Sequence, residues 1–442
     1  MNFFAPSSGL PKMRPLSHKR ASVITVLDIG TSKICCLIAR LTPREESLSL
    51  PGRTHRIEVL GIGHQRSSGI KSGVVVNLDA AEQAIRLTVD AAERMAGVTV
   101  DSLIVNISSG RLTSNTYSAK VALDGHEVEE CDIRRVLNAG SAHAEQDGRT
   151  VVHSIPIGYA LDSDHGVFDP RGMLGQTLGV DMHVVNAENG PLHNLELCIN
   201  RAHLSVEAMV ATPYASGLSA LVDDETEMGS ACIDMGGGTT TLSVFLGGRF
   251  VFADAIAIGG DHVTMDMARG LSTRLDDAER LKVMHGSALP NANDEHDIIS
   301  VLPIGESEQD VPFQVPRAQV TRIIRPRIEE TLELIRERLN RSGFAGAVGK
   351  RIVLTGGASQ LTGVSEVARR ILTRNVRLGR PMGVRGLPVA TKGPAFSTAV
   401  GLLIYPQIAQ IENSSSRSAG RHQLTGTDGA FARVGRWLKE SL

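Results

Sequence analysis

Apolar and polar positions along this chain follow two periods, one belonging to strands and one to helices. From Val23 to Leu27 an apolar, β-branched run ends at Asp28-Ile29-Gly30-Thr31, and a second run follows from Ile34 to Ala39, which predicts a strand, a tight turn and a strand. Cys232-Ile233-Asp234-Met235-Gly236-Gly237-Gly238-Thr239-Thr240-Thr241, followed by Leu242 to Phe245, repeats that shape. Two copies predict an internally duplicated α/β protein. A third apolar run, Ile352 to Leu354, leads into Thr355-Gly356-Gly357-Ala358-Ser359. Between these motifs, Ala80 to Met95 and Gln319 to Asn340 carry apolar residues every three or four positions with charges in the gaps, the pattern of covering helices. Around Ser102 to Asn186 short alternating runs, Leu103 to Ile107 and Tyr117 to Leu123, predict an inserted subdomain.

The two ends have a different texture. Residues 1 to 20 mix Pro6, Pro11 and Pro15 with Ser and basic positions and show no period, so a flexible tail is expected, with order starting at Ala21. From Ile411 to Gly429 polar and small residues leave almost nothing to bury, predicting a disordered linker. The tip beyond it regains a pattern. At 100° per residue, Phe431, Val434, Leu438 and Leu442 fall within about 80° of one another with Trp437 at the edge, while Arg433, Arg436 and Lys439 take the flanking and opposite sides. That layout is expected of a helix lying in a membrane interface, its bases toward anionic lipid.

Composition narrows the class. With 442 residues and 42% hydrophobic content the chain exceeds what one core supports, so two or more lobes are expected. Lys and Arg total 46 against 48 Asp and Glu, a net charge of -2 that gives no reason to expect nucleic acid as a partner. The five cysteines lack the CxxC spacing of a zinc or redox site and read as buried, reduced thiols of a cytosolic protein. No apolar stretch approaches the roughly 18 residues that span a bilayer.

The glycine turns carry the candidate chemistry. Glycine lets backbone N–H groups approach phosphate oxygens closely, and hydroxyls add donors, which selects Gly30, Thr31, Ser32, Gly236, Gly237, Gly238, Thr239 and Thr240 as phosphate-binding residues. Lys33 supplies a point charge to the same phosphates. Carboxylates do not bind phosphate directly, so Asp28 and Asp234 are expected to hold Mg²⁺ through waters. Gly356 and Gly357, with Ser359, offer backbone against which a flat adenosine could lie. No GxxxxGK[ST] motif is present, which excludes a P-loop site.

One Asp-x-Gly turn is an ordinary hairpin feature; three such elements in this order resemble the actin, DnaK-type chaperone and sugar kinase superfamily. That resemblance implies ATP with Mg²⁺ in a cleft between two lobes, and Asp277-Ala278-Glu279-Arg280-Leu281-Lys282 resembles the superfamily's adenosine-side helix, in which Glu279 and Lys282 would contact ribose and base. Within the superfamily, Asp28 to Lys33, Gly69 to Val75, Gly175 to Val185, Ile324-Arg325-Pro326-Arg327 and Ser397 to Leu403 look like the FtsA family of bacterial cell-division proteins. The likeness implies a flexible tail at 1–20; subdomain 1A at 21–102, 185–217 and 389–411; an inserted subdomain 1C at 103–184, in place of actin's 1B; 2A at 218–262 and 325–388; 2B at 263–324; a linker at 412–428; and the helix at 429–442.

It further implies a filament-forming protein, peripheral on the cytoplasmic side of the inner membrane at the division site. Such a protein meets the C-terminal peptide of its tubulin-like partner FtsZ, with Arg317 and Arg322 as the candidate contacts, and then recruits later division proteins. The alternatives are a PilM-like pilus-assembly homologue, which lacks the C-terminal helix, and a small-molecule kinase of the same fold, for which no additional acidic motif supplies a base. A departure concerns catalysis. The segment Ala211-Thr212-Pro213-Tyr214-Ala215-Ser216 has Thr212 where filament-forming relatives carry a Glu or Gln that positions water, so slow hydrolysis is expected and no catalytic residue is assigned.

Overall fold

The computed structural model describes residues 10–45, 52–108, 111–142, 146–304 and 311–409. Two sheets share one plan. In the first, Ser22–Ile29, Lys33–Pro43 and His55–Arg66 form an antiparallel meander, and Ser102–Ile107 and Ser205–Ala211 continue the sheet in parallel on the far side of Ser22–Ile29. In the second, Ser230–Met235, Thr240–Leu246 and Arg249–Ile256 make the meander, and Arg351–Thr355 and Asn375–Leu378 extend it in parallel. The duplication read from the two strand–turn–strand motifs is therefore a duplication of whole lobes. The first strand of each meander is central in its sheet, with neighbours on both edges and cover on both faces, which is why Val26 and Leu27, like Cys232 and Ile233, read as continuous rather than alternating apolar runs.

The helices Leu78–Ala96 and Arg317–Arg341 match the predicted periodic stretches. Asn77 caps the former through the Ala80 N–H at 3.1 Å, and Gly97 ends it in the left-handed conformation. The latter buries Val320, Ile324, Ile328, Leu332, Ile335 and Leu339 along one face, carries Pro326 inside it, and runs through the 324/325 boundary expected between subdomains.

Two sequence expectations need correction. Ser102–Ile107 belongs to the first sheet, between Ser22–Ile29 and Ser205–Ala211, and not to the insertion; its run from Leu103 to Val105 is fully buried, as a central parallel strand requires. The inserted layer begins with Thr113–Ala122 and continues through Arg149–Leu161, Asp164–Val167 and Thr177–Glu188, with the helix Glu130–Ala142 packed on it around Val136, Leu137, Leu178 and Val180. Residues 10–20 are not a free tail. Met13 and Leu16 are buried in the first lobe's core, and the Ser17 carbonyl lies 3.1 Å from His55 Nε2. Two apolar side chains docked into a groove built by other elements leave no period in the sequence. Residues 1–9, the linker and the tip lie outside the described residues.

Among the described residues no helix is long and apolar enough to cross a membrane. Cys35, Cys36, Cys198 and Cys232 are buried free thiols as expected, whereas Cys131, in the first turn of the helix Glu130–Ala142, is exposed, against the expectation that all five are buried.

Candidate functional site

Asp28 and Asp234 stand at equivalent places, each near the end of a first meander strand and just before a glycine turn. The turns are built alike: Gly30 N–H donates to the Lys33 carbonyl at 3.0 Å, and Gly236 N–H to the Thr239 carbonyl at 2.9 Å. They meet across a cleft of about 520 Å³ lined by both. A Cβ on Gly237 would lie 1.9 Å from Ser32 Oγ, and one on Gly238 would lie 2.4 Å from Thr31 Oγ1, so only glycine lets the loops approach this closely. Ser32 Oγ also donates to Asp261 Oδ1 at 3.1 Å.

The two carboxylates are buried and close enough to feel one another. Burial pushes Asp28 up to about 6; Lys33 opposes that and the Asp234 charge adds to it. Burial likewise raises Asp234, against Thr398, Lys33 and Ser216. Thr398 Oγ1 donates to Asp234 Oδ2 at 3.0 Å. Lys33 Nζ donates to the Ala395 carbonyl and sits 3.6 Å from the Phe396 ring centre, its charge at the cleft wall. Carboxylates held this way are short of a cation. Among the described residues no three His, Cys, Asp or Glu side chains converge, so the donor set fits an ion that keeps most of its waters and takes phosphate oxygens, as Mg²⁺ does.

On the far wall, Glu279 and Lys282 of the helix Leu275–His285 line the cleft as an ion pair of 2.6 Å, and Lys282 Nζ also donates to Thr264 Oγ1 at 2.8 Å and the Gly260 carbonyl at 3.1 Å. Gly356, Gly357, Val283, Ile328 and Leu361 line the same cleft. Gly356 has φ +85°, and a Cβ there would lie 2.3 Å from Asp234 Oδ1.

Of the residues selected from sequence, two do not reach the cleft wall. The Thr240 hydroxyl is buried and donates to the Ile258 carbonyl at 2.7 Å, because its strand turns alternate side chains to opposite faces and Thr241 takes the cleft face. The Ser359 hydroxyl donates to the Gly356 carbonyl at 2.7 Å and closes its own turn. Sequence reasoning missed Asn106, Asp261, Thr398 and the Pro394-Ala395 turn, all on the wall. A buried Asn at the end of an apolar strand was a readable signal. Its Oδ1 accepts from the Ile29 N–H at 2.7 Å and its Nδ2 donates to Thr212 Oγ1 at 3.1 Å, which ties the first turn to the head of the helix Thr212–Ala220. Thr212 Oγ1 accepts from Asn106 and keeps its O–H to donate, but a hydroxyl is too weak a base to take a proton at neutral pH.

Away from the cleft, Arg317 Nε donates to the His285 carbonyl at 3.0 Å, and Arg322 pairs with Glu295 at 2.5 Å on an exposed face. A further depression of about 580 Å³ along Arg317–Arg341 is open and lined by that one helix, with no converging polar groups from elsewhere. Phe431, Val434, Trp437, Leu438, Leu442, Arg433, Arg436 and Lys439 lie outside the described residues.

Residues 231–401 match the family model "Cell division protein FtsA", and residues 109–186 match "SHS2 domain inserted in FTSA", in register with the inserted layer. The cell division protein FtsA of Agrobacterium fabrum is 64% identical over 442 residues, covering 100% of both chains. That of Pseudomonas aeruginosa is 34% identical, over 96% of this chain and 99% of its own, and that of Escherichia coli K12 is 28% identical, over 95% and 98%. Among solved structures, the PilM-PilN type IV pilus biogenesis complex superposes with a TM-score of 0.61 at 15% identity, covering 87% of this chain and 98% of that one. MreB5 of Spiroplasma citri bound to ADP gives 0.53 at 12% identity, covering 90% and 100%. The structural likenesses establish an actin-like ATPase fold; with the match over the whole chain to curated relatives, they show that this protein belongs to the FtsA family of bacterial cell-division proteins.

Proposed function

We propose that the protein binds ATP with Mg²⁺ in the interlobe cleft, polymerises on the cytoplasmic face of the inner membrane at the division site, anchors the FtsZ ring there and recruits later division proteins. The observation that carries the nucleotide reading is the pair of buried carboxylates, Asp28 and Asp234, set behind two opposed glycine turns whose contacts leave no room for a Cβ. The MreB5 neighbour has been solved with ADP and with AMPPNP. In this chain Gly30, Thr31, Ser32, Lys33, Gly236, Gly237, Gly238 and Thr239 would meet the phosphates, Asp28 and Asp234 the hydrated magnesium, and Glu279, Lys282, Gly356 and Gly357 the adenosine. Magnesium supplies charge neutralisation of the phosphates when bound. The chain's own groups position and exclude water, and Thr212 in place of a carboxylate makes the nucleotide a wedge between lobes more than a fuel.

The membrane role rests on the amphipathic spacing of residues 429–442. Burying four or five large apolar side chains yields about 6 to 10 kcal/mol and three basic residues add about 1 kcal/mol each on anionic lipid. Ordering a dozen residues opposes this at about 1 kcal/mol or more each. A single copy therefore binds weakly and a filament tightly, through effective concentration. Arg322, exposed on the 2B-type face, is the residue proposed to meet acidic groups of the FtsZ peptide, with Arg317 as a second contact.

Two measurements test the reading. Calorimetric ATP titration of the full chain should show binding that Asp234→Ala abolishes and Asp28→Ala weakens, with folding intact; unchanged affinity in both variants refutes the site. Truncation at Gly429, or Trp437→Glu, should release the protein from anionic liposomes without altering ATP affinity, and equal co-sedimentation of the truncated chain refutes the anchor.

A further inference from the structure

Thr241 is 1% exposed, lies on the cleft wall, and its hydroxyl has no hydrogen-bond partner among the described residues. Buried hydroxyls are rarely left this way, because losing water without gaining a partner is costly. Its neighbour shows the ordinary solution: Thr240, facing the other way, donates to the Ile258 carbonyl. Thr241 is directly opposite Asp234 in the antiparallel register, so both side chains leave the sheet on the same face. Asp234 Oδ2 accepts from Thr398 and keeps further acceptor capacity, and Gly356, where a Cβ would lie 2.3 Å from Oδ1, leaves that oxygen uncovered. As cross-strand partners on one face, the Thr241 hydroxyl and the Asp234 carboxylate present two polar groups to the same wall of the cleft, suited to a water that both can hold.

We propose that Thr241 is a positioning residue of the nucleotide cleft, its hydroxyl holding a water of the magnesium ion that arrives with the nucleoside triphosphate. The inference rests on the reading of the cleft given above. Because Mg²⁺ keeps its waters and ties them to the protein, fixing one such water transmits metal binding to the second lobe's sheet. Thr241 thus acts on the ion through water and does not touch the reacting phosphate.

The test compares the full chain with Thr241→Val, which keeps the shape, and Thr241→Ser, which keeps the hydroxyl. ATP affinity is measured by calorimetry in Mg²⁺ and in EDTA, beside the thermal midpoint of the nucleotide-free protein. Thr241→Val should lose about tenfold of the affinity gained from Mg²⁺, the scale of one hydrogen bond near a charge. Its affinity in EDTA and its thermal midpoint should be no lower than wild type, and Thr241→Ser should retain the Mg²⁺ gain. A wild-type Mg²⁺ gain in Thr241→Val, an equal loss with and without the ion, or a lowered midpoint overturns the inference. Wild-type protein that binds no ATP overturns instead the reading on which it rests.

Discussion

Asp28→Asn should make the nucleotide-free protein more stable while it weakens Mg²⁺-dependent ATP binding. Asp28 is 7% exposed, and burial lifts its carboxyl from an ordinary 3.8 to about 6 despite the nearby Lys33. At 1.36 kcal/mol per tenfold change in proton affinity, the ionised side chain costs the fold about 3 kcal/mol at neutral pH. The folded state holds this proton more tightly than the unfolded chain. Its contribution is therefore fully present below about pH 4 and is lost as the pH rises through about 6. Asparagine keeps the shape without the charge, so the variant should exceed wild type by up to about 3 kcal/mol at pH 7.5 and by only about 1 kcal/mol at pH 4.5. Acid effects at other carboxylates act on both proteins and cancel in the difference. Urea unfolding at the two pH values, without nucleotide, measures the gap. If the variant were no more stable at pH 7.5, or the gap failed to narrow on acidification, the carboxylate would not be a buried charge awaiting a cation.

Gly356→Ala places a side chain at φ +85° and against Asp234 Oδ1, so it should cost about 1 to 3 kcal/mol of strain and lower ATP affinity, read by thermal shift with and without nucleotide; an unaffected midpoint would show the turn can relax. Arg377 donates to Glu225, which is 3% exposed, through Nε at 2.7 Å and a terminal nitrogen at 2.5 Å, with Arg351 left at 3.6 Å as partial relief. Arg377→Ala should therefore destabilise by about 3 kcal/mol, and a urea midpoint near wild type would contradict that. Phosphate release from purified protein should run well below the enzyme median of about 10 per second, since on the proposed reading Thr212 stands where a Glu or Gln would position the attacking water; a turnover of several per second would refute this.

The sequence by itself determined the duplicated lobes, because each meander announces itself locally: a buried strand, a glycine turn that L side chains would block, and a returning strand. Asp28 and Asp234 were legible as cleft residues because the same carboxylate–glycine turn recurs in both motifs, where a single one would pass as an ordinary hairpin. The limits of the insertion were not legible, since Leu103 to Val105 is as apolar as any inserted strand and only its parallel partners, Ser22–Ile29 and Ser205–Ala211, assign it to the first sheet. Nor was the docking of Met13 and Leu16, whose groove is built by residues far along the chain. Which threonine of the run 239–241 faces the cleft depended on the pleat, and one step of register exchanges the two faces. Local conformation is written in neighbouring residues; whether Thr240 or Thr241 meets the cleft, and which strand borders Ser102–Ile107, is settled only when segments distant in sequence pack together.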